Sequence, residues 1–195
     1  MAGGIECRPL LGCSVSEDFR GLLLKCLSLK DLPRAGWVNR GVSNPESVAA
    51  HSWGVAFLAL SLCPPSLDGG VVASIAIIHD LPEIIVGDIT PTDGVSSAEK
   101  SRLEGDASAK IFAQLGEYSL NGENGVKNAQ YLHELWLDYD HSRTPEGRFV
   151  KACDKLDMAL QASLYSTQQE LDLDEFIESA LSRLDDPILI TLIGK

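Results

Sequence analysis

The segment IAIIHDLPEIIVGD, residues 75–88, constrains this chain more than any other. Ile75, Ala76, Ile77 and Ile78 on one side, and Ile84, Ile85 and Val86 on the other, read as buried. Between them stand His79, Asp80, Pro82 and Glu83. An unpaired buried carboxylate is costly enough that it takes up a proton or acquires a partner. Pro82 lacks an N–H, clashes with the carbonyl of Ile78 four residues back, and pushes Leu81 out of the helical region. A buried helix is therefore expected to kink or end beside His79 and Asp80, where side chains from several elements can converge. The plain alternative is that Asp80 only caps the turn containing Pro82 and Glu83.

Helical periodicity dominates the remainder, and convincing strand alternation is rare. A stripe of Phe19, Leu22, Leu23, Cys26 and Leu27 predicts a helix over 19–30, with Ser16 and Asp18 as capping candidates. A second helix is expected from Ser47 to Cys63, closed by Pro64 and Pro65, and a short, almost wholly apolar one from Val71 to Asp80. Ser96 and Glu99 fit a capping box that opens a helix running to Leu115 and stopping at Gly116. GEYSLNGENG reads as a polar loop, and residues 126–139 as a helix. Thr144, Pro145 and Glu146 start a long helix to about Ser166, and LDLDEFIESALSRL holds the last one. The closing PILITLIG reads equally as a short strand or a packed tail. The fold class is all-α, in one domain of 195 residues without internal repeats.

Sixteen basic residues against 28 acidic ones give a net charge of −12. That argues against sequence-independent nucleic-acid binding, which needs a basic face to displace counterions. It leaves small anionic substrates open, because a few arginines or a metal reverse the field inside one cleft. Cys7, Cys13, Cys26, Cys63 and Cys153 are odd in number and scattered, with no CxxC pair, so neither a disulfide framework nor a cysteine zinc site is expected. No leader pattern opens the chain, nothing reaches the length of a membrane span, and a cytoplasmic location is expected.

His51 lies on the same side of its helix as Val48, Val55 and Leu58. Alone, a histidine so placed is usually a hydrogen-bonded core residue. Asp154 and Asp157 flank the stripe of Phe149, Val150, Cys153, Leu156 and Leu160, with Lys151 and Lys155 beside them. Asp157 is best read there as part of a solvated charged edge with local ion pairs. Taken together, His51, His79, Asp80 and Asp154 offer two imidazoles and two carboxylates from three helices, a donor set for a divalent transition metal. Such an ion lowers the pKa of water and supplies a hydroxide nucleophile. Glu83, four residues after His79, is a candidate general acid or base, or a ligand of a second metal. Asp88, after Gly87, is a further acid at the start of a loop.

The ordered set His51, His79-Asp80, Asp154 resembles the signature of the HD-domain metal-dependent phosphohydrolase superfamily. RAGWVNRGV, NPESVAAHSWGVA, IIHDLPEIIVGDITPTD, EKSRLE, LHELWLDYD and FVKACDKLDMALQA resemble, in that order, the family of HD-domain 5′-deoxynucleotidases. The similarity runs over residues 20–168. The first twenty residues and the tail after Gln168 carry none of it.

The resemblance implies a compact all-α HD domain, often a homodimer, that hydrolyses deoxyribonucleoside 5′-monophosphates. It implies His51, His79, Asp80 and Asp154 as ligands of a divalent cation: Co, Mn, Mg, Zn, Cu or Fe. Glu83 matches the acid implicated in catalysis or in a second metal, and Asp88 an acid facing substrate or that metal, with Ile89 and Thr90 near the nucleotide. Arg34 falls at the phosphate-orienting arginine, although Arg40 also fits an anchored arginine. Trp37 is either a wall for sugar or base, or a loop tryptophan packed on the core. Lys100 and Arg102 are expected on a helix surface, and His133 and His141 match no motif. Rival readings are an HD-type phosphodiesterase, a nucleoside triphosphate triphosphohydrolase, or a catalytically silent nucleotide-binding HD protein.

Overall fold

A computed structural model describes residues 17–117 and 123–194. The described residues form ten α-helices and contain no strand, only an isolated bridge between Pro33 and Ser47. The helices are α1 (Glu17–Leu27), α2 (Ala35–Asn39), α3 (Val48–Leu62), α4 (Gly69–Ile78), α5 (Glu83–Val86), α6 (Ser97–Glu117), α7 (Glu123–His141), α8 (Pro145–Gln169), α9 (Asp174–Leu181) and α10 (Pro187–Ile193). The capping candidate Ser16 and part of the expected polar loop lie outside the described residues.

Side chains at the starts fix the long elements. Ser47 accepts from the Ala50 N–H at the head of α3, and Asp68 from Gly70 and Val71 at the head of α4. Thr144 caps α8 through the Gly147 N–H, with Pro145 at the first helical position. α3 packs against α4 and α8, and α4 also meets α7 and α8. One apolar cluster joins Val55, Val72, Ile75, Phe112, Trp136 and Cys153. A second joins Trp37, Leu156, Ala162, Tyr165, Leu173 and Leu189. α8 contributes to both, with Val150 and Cys153 in the first and Leu156, Ala159 and Ala162 in the second.

Four expectations need correction. Ile77 and Ile85 are not buried, at 61% and 38% exposure. α4 is apolar all round, yet one side of it is left uncovered, as is Trp53, Phe57 and Leu60 on α3. Gly116 does not stop α6. It is buried inside the helix against α7, where an added Cβ would lie 3.5 Å from that of Ala129, an ordinary contact distance. PILITLIG is neither strand nor tail but α10: Asp186 accepts from Ile188 and Leu189, Pro187 opens the helix, and Gly194 ends it at φ 79°. Finally, the 25 residues Gly69–Asp93 are long and apolar enough to pass for a membrane span by composition. They fold instead as α4, a turn over 79–82, α5, a loop over 87–90 and a 3-10 turn, Pro91–Asp93.

Candidate metal centre and active site

α4 ends at Ile78, before Pro82, as the proline requires, and the chain turns through His79 and Asp80 into the single turn of α5. This turn faces His51 of α3 and Asp154 of α8. His51 Nε2 lies 3.3 Å from Asp154 Oδ1 and 3.6 Å from Asp80 Oδ2, and His79 Nε2 lies 3.2 Å from Asp80 Oδ2. His51, His79 and Asp80 each offer one ligand atom, all within 4.8 Å of one another. His51 Nε2, His79 Nε2 and Asp80 Oδ2 are buried, and none makes an aligned hydrogen bond. Buried polar atoms are normally satisfied. Converging nitrogen and oxygen donors left without a partner suit a divalent cation, so the residues present fit the metal that the donor set implies.

The surroundings aim these donors. His51 Nδ1 is 2.7 Å from Asp157 Oδ2, and His79 Nδ1 is 2.7 Å from the Ala76 carbonyl. With the proton on Nδ1, each ring presents the Nε2 lone pair inward. The Trp136 indole donates to the His79 carbonyl at 2.9 Å. Asp154 Oδ2 accepts from the Tyr139 hydroxyl and from Lys155, at 2.9 and 2.8 Å, leaving Oδ1 to face His51. Asp157 is thus no solvated edge residue, and it occupies space that only a glycine leaves: a Cβ on Gly54 would lie 2.2 Å from Asp157 Oδ1. Two sequence signals pointed there, the i, i+3 spacing of Asp154 and Asp157 and a glycine one turn after His51 inside a helix. Tyr139 and Trp136 lie in the LHELWLDYD block of the resemblance, but nothing in the sequence gave either one a place at the metal centre.

Charge distribution follows from burial. Burial and the Arg34 charge pull His51 down, but the adjacent Asp154 and Asp157 carboxylates outweigh them and push it up to about 9. Burial would raise Asp80, yet His79, Arg34 and His51 hold it below the usual carboxylate range. Glu83, 2% exposed, has an unpartnered Oε2 and only the distant Lys100 amine, 3.9 Å from Oε1. Burial, then Asp80 and Asp88, push it up to about 10, so it carries a proton at neutral pH. Asp88 accepts the Ala35 N–H at 2.8 Å and sits 3.4 Å from Arg34, whose guanidinium also reaches Asp80 at 3.6 Å. Its oxygens hold Arg34 at the mouth of the site. Lys100 is not a plain surface residue: it donates to the Ile89 carbonyl at 2.9 Å, while Arg102 pairs outside with Glu99 and Asp106.

The HD-domain family model matches residues 26–189. The 5′-deoxynucleotidase hdd1 of Schizosaccharomyces pombe is 40% identical over 156 residues, covering 78% of this chain and 76% of that protein. The human 5′-deoxynucleotidase HDDC2 is 35% identical over 169 residues, covering 86% and 78%. Among solved structures, the PH0347 protein of Pyrococcus horikoshii OT3 superposes with a TM-score of 0.70 at 32% identity, over 89% of this chain and 97% of the other. The chain belongs to the HD-domain 5′-deoxynucleotidase family.

In this HD domain two cavities adjoin the metal centre. The first, about 850 Å³, is lined by His79, Asp80, Glu83 and Asp154. The second, about 510 Å³, is lined by Trp37, Asp88, Ile89, Thr90, Met158 and Phe176. Trp37 is a core residue with one edge on this cavity. It is 2% exposed, packs on Tyr165 and Phe176, and donates to Glu46 at 2.9 Å. Thr90 is fixed in a capping box with Asp93. Arg40 stands at the outer rim, where its Nε and Nη2 donate together to the Glu175 carboxylate of α9. His133 lies apart, stacked between Phe112 and Trp136.

Proposed function

We propose that this HD domain hydrolyses deoxyribonucleoside 5′-monophosphates to deoxynucleoside and phosphate with a divalent metal. The observation that carries the reading is the trio of unpartnered buried donors, His51 Nε2, His79 Nε2 and Asp80 Oδ2, of which His79 and Asp80 line the first cavity with Arg34 and Glu83. His51, His79, Asp80 and Asp154 would hold the ion. When bound, the ion supplies Lewis acidity toward the phosphoryl group and acidifies water. Arg34, pinned by Asp88 and Asp80, presents a planar fork suited to two phosphate oxygens and to the charge that develops on them. Glu83, raised to about 10 by burial and by Asp80 and Asp88, lines the first cavity with a proton to hand to the leaving 5′-oxygen. The sugar and base take the second cavity along Ile89, Thr90 and the edge of Trp37, and Arg40 bounds its rim. Exclusion of a 2′-hydroxyl there gives the deoxyribose preference.

The two imidazoles and two carboxylates suit a divalent ion among Co, Mn, Zn, Cu, Fe or Mg. The sharing of α8 between both apolar clusters supports one domain. The outward Trp53, Phe57 and Leu60, with Trp53 stacked on Phe57 at 5.7 Å, support a homodimer. The nucleotide substrate and the scattered cysteines favour the cytoplasm. The deciding experiment is phosphate release by metal-stripped protein, with single metals restored, from deoxy- and ribonucleoside monophosphates, triphosphates and cyclic nucleotides. Turnover of the deoxynucleoside monophosphates alone is expected. Release confined to triphosphates or cyclic nucleotides, or none with any metal, overturns the reading.

A further inference from the structure

The two cavities meet along a shared wall, and its composition is unusual for a chain of net charge −12. Five residues line both: Arg34, Ser97, Lys100, Lys155 and Arg183. Four are cations, from four separate parts of the fold. Three have their charge engaged by nearby acids: Arg34 by Asp80 and Asp88, Lys100 by Glu104, and Lys155 by Asp154. Arg183 differs. Among the described residues its guanidinium makes no ion pair or hydrogen bond, although it borders both cavities. Its sequence neighbours Asp185 and Asp186 form no ion pair with it: Asp186 Oδ1 accepts from the first N–H groups of α10, and both acids line the first cavity only.

The backbone under Arg183 is firmly held. Its N–H donates to the Ala180 carbonyl at 3.0 Å, and Ala180 and Leu184, on either side, are buried in the second apolar cluster. An exposed cation on a fixed turn, aimed at a junction where a phosphate must pass from nucleoside cavity to metal centre, has no evident structural task. Guanidinium and phosphate make paired, charge-assisted hydrogen bonds.

We infer that Arg183, supplied by the turn between α9 and α10, binds the phosphate of the substrate at the junction of the two cavities. This deepens the proposed function and rests on it for the identity of the substrate. Because the contact is made to the ground-state phosphate, it acts through binding and leaves the chemical step largely alone.

The test compares metal-loaded wild type with Arg183→Ala and Arg183→Lys, measuring inorganic phosphate binding by calorimetry, inhibition by free deoxynucleoside, and KM and kcat for a deoxynucleoside monophosphate. Arg183→Ala is expected to weaken phosphate binding and raise KM by about 10-fold or more. Metal content, Tm, kcat and deoxynucleoside inhibition should stay at wild-type values, and Arg183→Lys should recover part of the loss. Phosphate binding unchanged in Arg183→Ala, absent in the wild type, or weakened no more than deoxynucleoside binding overturns the inference. A wild type that binds phosphate but turns over no deoxynucleoside monophosphate refutes the substrate reading, and the phosphate titration still decides Arg183.

Discussion

Asp157 accepts the Nδ1 proton of His51 at 2.7 Å, and through it fixes which nitrogen of the ring faces the metal centre. A carboxylate behind a ligating histidine sets the tautomer, holds the ring plane and raises the basicity of the opposite nitrogen. Asp157→Asn keeps the shape but weakens the acceptor. Metal affinity should fall about 10- to 100-fold, with little change in Tm for the metal-free protein. Competition with a chromophoric chelator measures this, and equal affinities would show that His51 needs no such support.

Gly54 is the counterpart of that contact. In an ordinary helix interior, Gly→Ala gains about 1 kcal/mol. Here the new methyl would meet Asp157 Oδ1 at 2.2 Å. Gly54→Ala should therefore destabilise the protein by about 1–3 kcal/mol and weaken metal binding together with it. Urea denaturation and a metal titration on the same preparation check both, and a variant of raised stability would contradict the packing described.

Metal uptake should be coupled to proton release. The His51 ring, pushed up to about 9, carries a proton below that pH that an incoming ion must displace. Affinity should therefore rise with pH, by about tenfold per unit from this group alone, and level off above about 9. The sign is fixed: acid favours the metal-free state. Titrations at several pH values between 6 and 9 measure the slope, and a flat profile would count against His51 as a ligand.

Two arginines fit the sequence pattern for phosphate binding, and the structure separates their surroundings. Arg34 is held between Asp80 and Asp88 inside, whereas Arg40 is engaged with Glu175 outside. Arg34→Ala should lower kcat/KM by about 100-fold or more. Arg40→Ala should leave it near the wild-type value. Steady-state kinetics on the two variants decides the assignment, and the reverse ranking would exchange their roles.

Much of this architecture was legible in the sequence, and the exceptions share a cause. His79, Asp80 and Pro82 announced a helix end inside an apolar run, because a proline and two ionisable groups have few tolerable settings there. Ser47, Thr144 and Pro145 marked helix starts through local hydrogen bonding. Asp157 was misread because its meaning depends on His51, 106 positions away, and on the missing Cβ of Gly54. Ile77 and Ile85 were misread because composition reports how apolar a helix is, not which side its neighbours cover. α10 had a cap, a proline and a closing glycine, all overlooked beside a β-prone run of isoleucine, leucine and threonine.

α8 carries Asp154 and Asp157 on the stretch of helix where one apolar cluster gives way to the other. A small shift or twist of that rod, from loosened packing at either end, moves both carboxylates against a ring held by α3. Ion coordination tolerates such displacement far less than apolar contact does. Wear in the interior, at Cys153 on one side or Ala162 on the other, should therefore surface first as a protein that still folds but no longer retains its ion.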